Sequence, residues 1–229
     1  MMEPNIIELS NISKCFPGVK ALDRVSLSVK KGHVHGLIGE NGAGKSTLMK
    51  ILSGVYQRDE GEIIFDGKTV PTMTPQISQS LGISIIYQEF NLVPVLSIAE
   101  NIFLGRLGGG TGKKLVRWRS INAEASALLH RIGYDMDVTN KVSELSVAQM
   151  QMVEIAKALS CDARLIIMDE PSAPLTSNEL ETFFAVVKNL RDQGVSIIFI
   201  SHKLDEIMQL CDEVTVMRDG SVIDTCRVS

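Results

Sequence analysis

Residues 25–29 alternate apolar and polar side chains, Val-Ser-Leu-Ser-Val, the period of a strand with one buried face and one wet face. Residues 6–9 form a similar short run. Phe16-Pro17-Gly18 between them is a turn signal. A further strand is expected over residues 61–67, ending in Asp66-Gly67. Together these runs predict a small N-terminal antiparallel layer. Elsewhere the pattern changes to largely apolar runs at 34–38, 82–87, 164–168, 195–200 and 213–217, as expected of parallel strands covered on both faces. Helices are expected at 46–52, 177–191 and 204–210. Strands alternating with helices predict an α/β fold with a mostly parallel sheet. From about residue 91 to 140 the rhythm breaks. Residues 97–104 and 122–132 read as helices, with Gly108-Gly109-Gly110-Thr111-Gly112 as a flexible break. We expect a single module over 1–229, with a core from 1–90 and 160–229 and a helical lobe inserted at about 91–159.

Composition narrows the picture by exclusion. The 229 residues are 45% hydrophobic and 22% charged, with a net charge of −4. That balance fits a globular chain and argues against a strongly basic nucleic-acid surface. No apolar run approaches the ~20 residues a membrane span needs. Met1-Met2-Glu3-Pro4-Asn5 has no basic, signal-like character. Cys15, Cys161, Cys211 and Cys226 show no zinc-ligand spacing and are expected to be reduced thiols. Lys113, Lys114, Arg117 and Arg119 surround Trp118; a solvated loop with one packed aromatic is the expected reading.

The candidate chemistry begins at Gly39-Glu40-Asn41-Gly42-Ala43-Gly44-Lys45-Ser46-Thr47, which satisfies G-x-x-x-x-G-K-[ST] at every fixed position. An expected strand precedes it and an expected helix follows it, the context this phosphate-binding loop requires. Glycines allow the backbone to wrap phosphate oxygens, and the helix N-terminus adds partial positive charge. Lys45 is placed for the β and γ phosphates and Ser46 for Mg²⁺. A second apolar run, Leu165-Ile166-Ile167-Met168, ends in Asp169-Glu170. The carboxyl end of a central strand is where ligands bind in open α/β sheets. Asp169 is the candidate for holding Mg²⁺ and Glu170 for polarising an attacking water. Gln88 and His202 each follow an apolar run and are expected at the same edge: Gln88 to orient metal or water, His202 to meet the γ-phosphate or brace Glu170.

The ordered set of motifs resembles the ATP-binding subunits of ABC transporters, over the whole chain. Gly39 to Thr47 matches the Walker A loop, Gln88 the Q-loop, Ile166 to Glu170 the Walker B strand and His202 the switch histidine. Leu145-Ser146-Val147-Ala148-Gln149 occupies the position of the LSGGQ signature, and Phe16 that of an adenine-stacking aromatic. The wording around Gln88, Gln149 and His202 is similar to the N-terminal ATPase module of the fused monosaccharide importers. The resemblance implies a P-loop NTPase core that binds and hydrolyses Mg-ATP to drive import of a solute, a monosaccharide in that group, through an integral membrane permease. It also implies a second ATPase module paired head to tail, an external solute-binding protein, and a place at the cytoplasmic face of the membrane. Ser146, Ala148 and Gln149 would then serve the partner module's ATP.

The chain departs from the family pattern at Val147-Ala148, where the signature has Gly-Gly, and at Thr176, where many members carry Asp. A Cβ at Ala148 is expected to crowd the close backbone approach to phosphate and weaken the partner's site. The alternatives are a non-transport ABC ATPase, a regulatory nucleotide-binding module, and a P-loop kinase or GTP switch. The last gives the signature segment and His202 no role.

Overall fold

In a computed structural model of the chain, residues 4–106 and 117–228 are described. The N-terminal layer is a four-stranded antiparallel sheet of β1 (Asn5–Phe16), β2 (Val19–Lys30), β4 (Glu60–Phe65) and β5 (Lys68–Thr69), in the order β2-β1-β4-β5. Val25, Leu27 and Val29 are buried and Ser26 and Ser28 exposed, as the alternation dictates. Strands β1 and β2 are both longer than their apolar runs. Asn11 adopts φ 52°, and the β1–β2 register shifts on either side of Ile12. These irregularities carry the strand through polar positions where alternation is lost.

The second sheet has six strands in the order β10-β9-β3-β8-β7-β6. Its parallel members are β3 (Val34–Ile38), β6 (Ile83–Ile86), β7 (Leu165–Asp169), β8 (Ser196–Ile200) and β9 (Glu213–Arg218). The edge strand β10 (Ser221–Arg227) runs antiparallel to β9. Successive residues feed two different cores. Leu165 and Ile167 pack with the antiparallel layer and α1 (Lys45–Leu52), whereas Ile166 and Met168 pack under the helices of the other face. Covering on both sides is why these strands read as continuous apolar runs.

The helical region comprises α3 (Ile98–Ile102), α4 (Trp118–Arg131) and α5 (Val147–Leu159). Ile98, Ile102, Leu129, Met152 and Ile155 belong to one core that continues beneath α6 (Ser177–Asp192) and α7 (Leu204–Leu210). A short helix, α2 (Pro75–Ser80), precedes β6. Helix α4 starts earlier than its apolar period suggested, so Arg117 is its N-cap residue and Trp118 and Arg119 lie in its first turn, not in a loop. Lys113, Lys114 and the Gly108–Gly112 break lie outside the described residues. No helix among the described residues is long and apolar enough to cross a membrane.

Candidate active site

Strands β3, β8, β7 and β6 are neighbours and all point the same way. Their carboxyl ends deliver, in that spatial order, the Gly39–Lys45 loop, His202, Asp169 with Glu170, and Gln88. Parallel pairing alone therefore converges four separate stretches of sequence on one edge.

The loop after β3 is held by tight backbone contacts. Gly44 has φ 100°, and a Cβ there would lie 2.8 Å from the Ala21 carbonyl oxygen and 2.7 Å from a Leu22 methyl. At Gly39 a Cβ would collide with the Met217 carbonyl. Lys45 is buried, and its Nζ donates to the carbonyls of Gly39 (2.6 Å) and Glu40 (3.0 Å). The lysine thus curls the loop around its own ammonium group. Helix α1 begins at Lys45 with Gly44 as its cap, no capping side chain and no acid in the first turn. Its first amides are left to be satisfied by an anion.

A cavity of about 570 Å³ opens over this loop. Asn41, Gly42, Ala43, Gly44, Lys45, Ser46 and Thr47 line it, together with Gln88, Asp169 and Glu170. Gly39 and Glu40 lie outside the lining and act through the carbonyls that hold Lys45. The sequence reading missed two further wall segments, Val19 to Ala21 at the start of β2 and Asp219-Gly220 in the β9–β10 turn. Gly220 donates to the Ala43 carbonyl (3.2 Å) and accepts from the Asp23 amide (2.8 Å), bolting the loop to β2. The Asp-Gly pair was the available signal, since it marks a tight turn wherever it falls.

Phe16 lies outside the cavity lining. It sits one hairpin step away, paired in register with Val19, with its ring edge-on to Tyr56 at 5.2 Å. His202 is also outside the lining, but its Nδ1 lies 3.2 Å from Glu170 Oε1. Glu170 adopts φ 46°, rare for a residue with a Cβ, and its amide donates to the Ile200 carbonyl at 3.0 Å. Burial and the adjacent Glu170 raise the Asp169 pKa, against the opposing charges of Lys45 and Lys50. Two consecutive acids facing one polar cavity make a site that favours a cation. Among the described residues no three His, Cys, Asp or Glu side chains group as a metal cage. One carboxylate, the Ser46 hydroxyl and substrate phosphates are instead a donor set that suits Mg²⁺.

Ser146, Ala148 and Gln149 are not in this cavity. They form the first turn of α5, closed by a reciprocal cap: Ser146 Oγ accepts from the Gln149 amide (3.3 Å), and Gln149 Oε1 accepts from the Ser146 amide (2.9 Å). Ser146 is exposed, and its hydroxyl hydrogen stays free to donate outward. A larger cleft of about 1170 Å³ lies at the opposite, amino ends of β3 and β9. Among its lining charges Lys30 pairs with Glu213 at 2.6 Å and Lys31 with Asp66. Its lining contains neither the glycine-rich loop nor the Asp169–Glu170 pair.

Residues 22–173 match the family model described as ABC transporter. A putative ribose/galactose/methyl galactoside import ATP-binding protein 1 of Burkholderia lata is 52% identical over 97% of this chain and 43% of its own length. Ribose import ATP-binding protein RbsA 1 of Streptomyces avermitilis is 52% identical over 95% of the chain and 41% of its own length. The chain thus spans less than half the length of these curated relatives. Among solved structures, a nucleotide-free ATP-binding cassette from an ABC transporter superposes with a TM-score of 0.88, at 31% identity, over 99% of this chain and 92% of that one. The ADP conformation of the cassette MJ1267 gives 0.88 at 32% identity, over 98% and 91%. With the phosphate loop, paired acids and signature turn carried on this α/β P-loop NTPase fold, the chain belongs to the ABC transporter family.

Proposed function

We propose that this chain binds Mg-ATP and hydrolyses it to drive import of a monosaccharide through a membrane permease. One observation carries the reading: Lys45, Ser46, Gln88, Asp169 and Glu170 line a single cavity at the carboxyl ends of adjacent parallel strands. The names of the sugar-import relatives support the choice of solute. Lys45 and the α1 amides bind the β and γ phosphates. Ser46, Asp169 and Gln88 hold Mg²⁺, which when bound neutralises charge developing on the phosphate oxygens. Glu170 orients a water in line with the γ-phosphorus and takes its proton as the new P–O bond forms and the bond to the β-phosphate oxygen breaks. His202 keeps Glu170 in place.

In this reading residues 1–90 and 160–229 form the nucleotide core, and about 91–159 form the helical lobe that presents Ser146, Ala148 and Gln149 to a second ATPase module. Phe16, beside the Val19 wall, stacks on adenine. The module works peripherally at the cytoplasmic face of the membrane, against an integral permease fed by an external solute-binding protein. Glu170→Gln tests the chemistry. Turnover should fall by about 10²–10³ while nucleotide affinity is retained. Unchanged turnover would remove Glu170 as the base.

A further inference from the structure

Glu206 lies on α7 outside the cavity, and its side chain is only 3% accessible. A carboxylate so buried must be satisfied by specific donors or it destabilises the fold. Its Oε2 accepts from Ser172 Oγ at 2.6 Å and from Ser201 Oγ at 2.7 Å. Its Oε1 lies 3.1 Å from Lys203 Nζ. Burial opposes the charge, but the two serine hydroxyls and the nearby Lys203 ammonium outweigh it and hold the carboxyl below its ordinary range. The geometry therefore keeps Glu206 ionised as an acceptor.

The two serines are placed on different loops. Ser172 stands two residues beyond Glu170, in the turn after β7. Ser201 is the residue immediately before His202, after β8. Both are buried. Ser201 Oγ also accepts from the Lys203 amide at 3.1 Å, which closes the backbone around His202. Glu170 and His202, 3.2 Å apart, thus ride on two loops that meet again, behind them, at one carboxylate. The direct Glu170–His202 contact is weakly protected, because the His202 side chain is 58% exposed. The contact behind it is dry. A hydrogen-bond fork on a single buried carboxylate oxygen is stronger and less yielding than the solvent-facing pair it backs.

We propose that Glu206 is a positioning residue: by joining Ser172 to Ser201 it locks the loop carrying the water-orienting Glu170 to the loop carrying His202. Glu206 touches no substrate. It acts through the two serines, and this role rests on the reading of Glu170 and His202 given above.

Glu206→Gln preserves shape and tests the role on the full chain by two readouts. The first is amide hydrogen exchange without nucleotide. Exchange should quicken at least tenfold in both 169–176 and 200–205, with the rest of the sheet unchanged. A change limited to α7, or spread over the whole chain, overturns the proposal. The second readout is ATP turnover. kcat should fall about tenfold or more, with the KM for ATP within about threefold of wild type. Ser172→Ala and Ser201→Ala should each lower kcat alone and add little to Glu206→Gln, as members of one network do. A kcat within twofold of wild type overturns the proposal. If the wild-type chain hydrolyses no ATP, the functional reading fails while the exchange result still decides whether Glu206 joins the loops. If Glu206→Gln loses its cooperative melt, the two serine variants decide by the same exchange criterion.

Discussion

Asp169 and Glu170 are neighbours in sequence but differ in what holds them. Asp169 ends a strand buried on both faces, and burial together with the adjacent Glu170 raises its pKa. Its folded pKa therefore lies above the unfolded value. The stability this gives is full below the unfolded pKa, near 3.9, and is lost as pH rises through the folded value. Ionising Asp169 therefore works against the empty fold. Asp169→Asn should accordingly raise the melting temperature at pH 8 and leave it unchanged at pH 3.5, without nucleotide or metal. Thermal melts at the two pH values check this. An equal gain at both, or none at pH 8, would contradict it. Mg²⁺ should raise the melting temperature of ATP-loaded wild type and not of the variant. Residues of this kind were legible beforehand, because their chemistry depends on the ends of strands that an apolar run already marks. Val19 to Ala21 were not legible, since they serve only by lying in space beside a loop twenty residues away.

At the scale of elements, α5 ties two working segments together. Its amino end presents Ser146, while two turns later Glu154 and Lys157 clamp Asn91, three residues beyond Gln88. The Asn91 amide donates to Glu154 Oε1 at 2.7 Å, and Lys157 Nζ donates to the Asn91 carbonyl at 2.8 Å. The segment after Gln88 has no sheet ladder to satisfy its backbone, so the helix side chains do so. Glu154→Ala leaves a part-buried amide without its partner and should cost about 1–3 kcal/mol in urea denaturation, whereas Glu154→Gln keeps an acceptor and should cost less than half of that. Equal losses for the two would show that the charge, not the acceptor, matters. The clamp was not legible in the sequence, because Asn91 and Glu154 lie 63 residues apart and meet only in the fold. The unforeseen elements have similar causes. β10 is an edge strand of mixed polarity that exists by pairing with β9. α2 is six residues long and rests on Thr74, whose side chain accepts from the Ile77 amide ahead of Pro75. The parallel strands were legible because burial on both faces is written directly in their composition.

At the scale of the whole molecule, the cavity and the α5 turn are separate surfaces of one body. The cavity gathers Lys45, Ser46, Gln88, Asp169 and Glu170. The α5 turn exposes a serine hydroxyl and a capped helix end outside that cavity. If two modules pair head to tail, each surface completes the other's site, and the ligand becomes the bond between them. ATP should therefore drive association, and blocking hydrolysis should trap it. Glu170→Gln with Mg-ATP should double the mass seen by light scattering, while wild type without nucleotide stays at the mass of one chain. Adding Ser146→Arg should abolish the doubling but leave ATP affinity unchanged, because the substitution lies on the lent surface and not in the chain's own cavity. Ala148→Gly should instead strengthen association, since it removes the Cβ from the turn that must approach the partner's γ-phosphate. The gain competes with the backbone freedom glycine adds near a helix start, roughly 0.5–1 kcal/mol, so a severalfold lower dissociation constant would mean that crowding at Ala148 outweighs it. An unchanged constant would mean the approach to phosphate has room for a methyl group. A mass that doubles equally with and without Ser146→Arg would place the contact elsewhere and separate α5 from the nucleotide altogether.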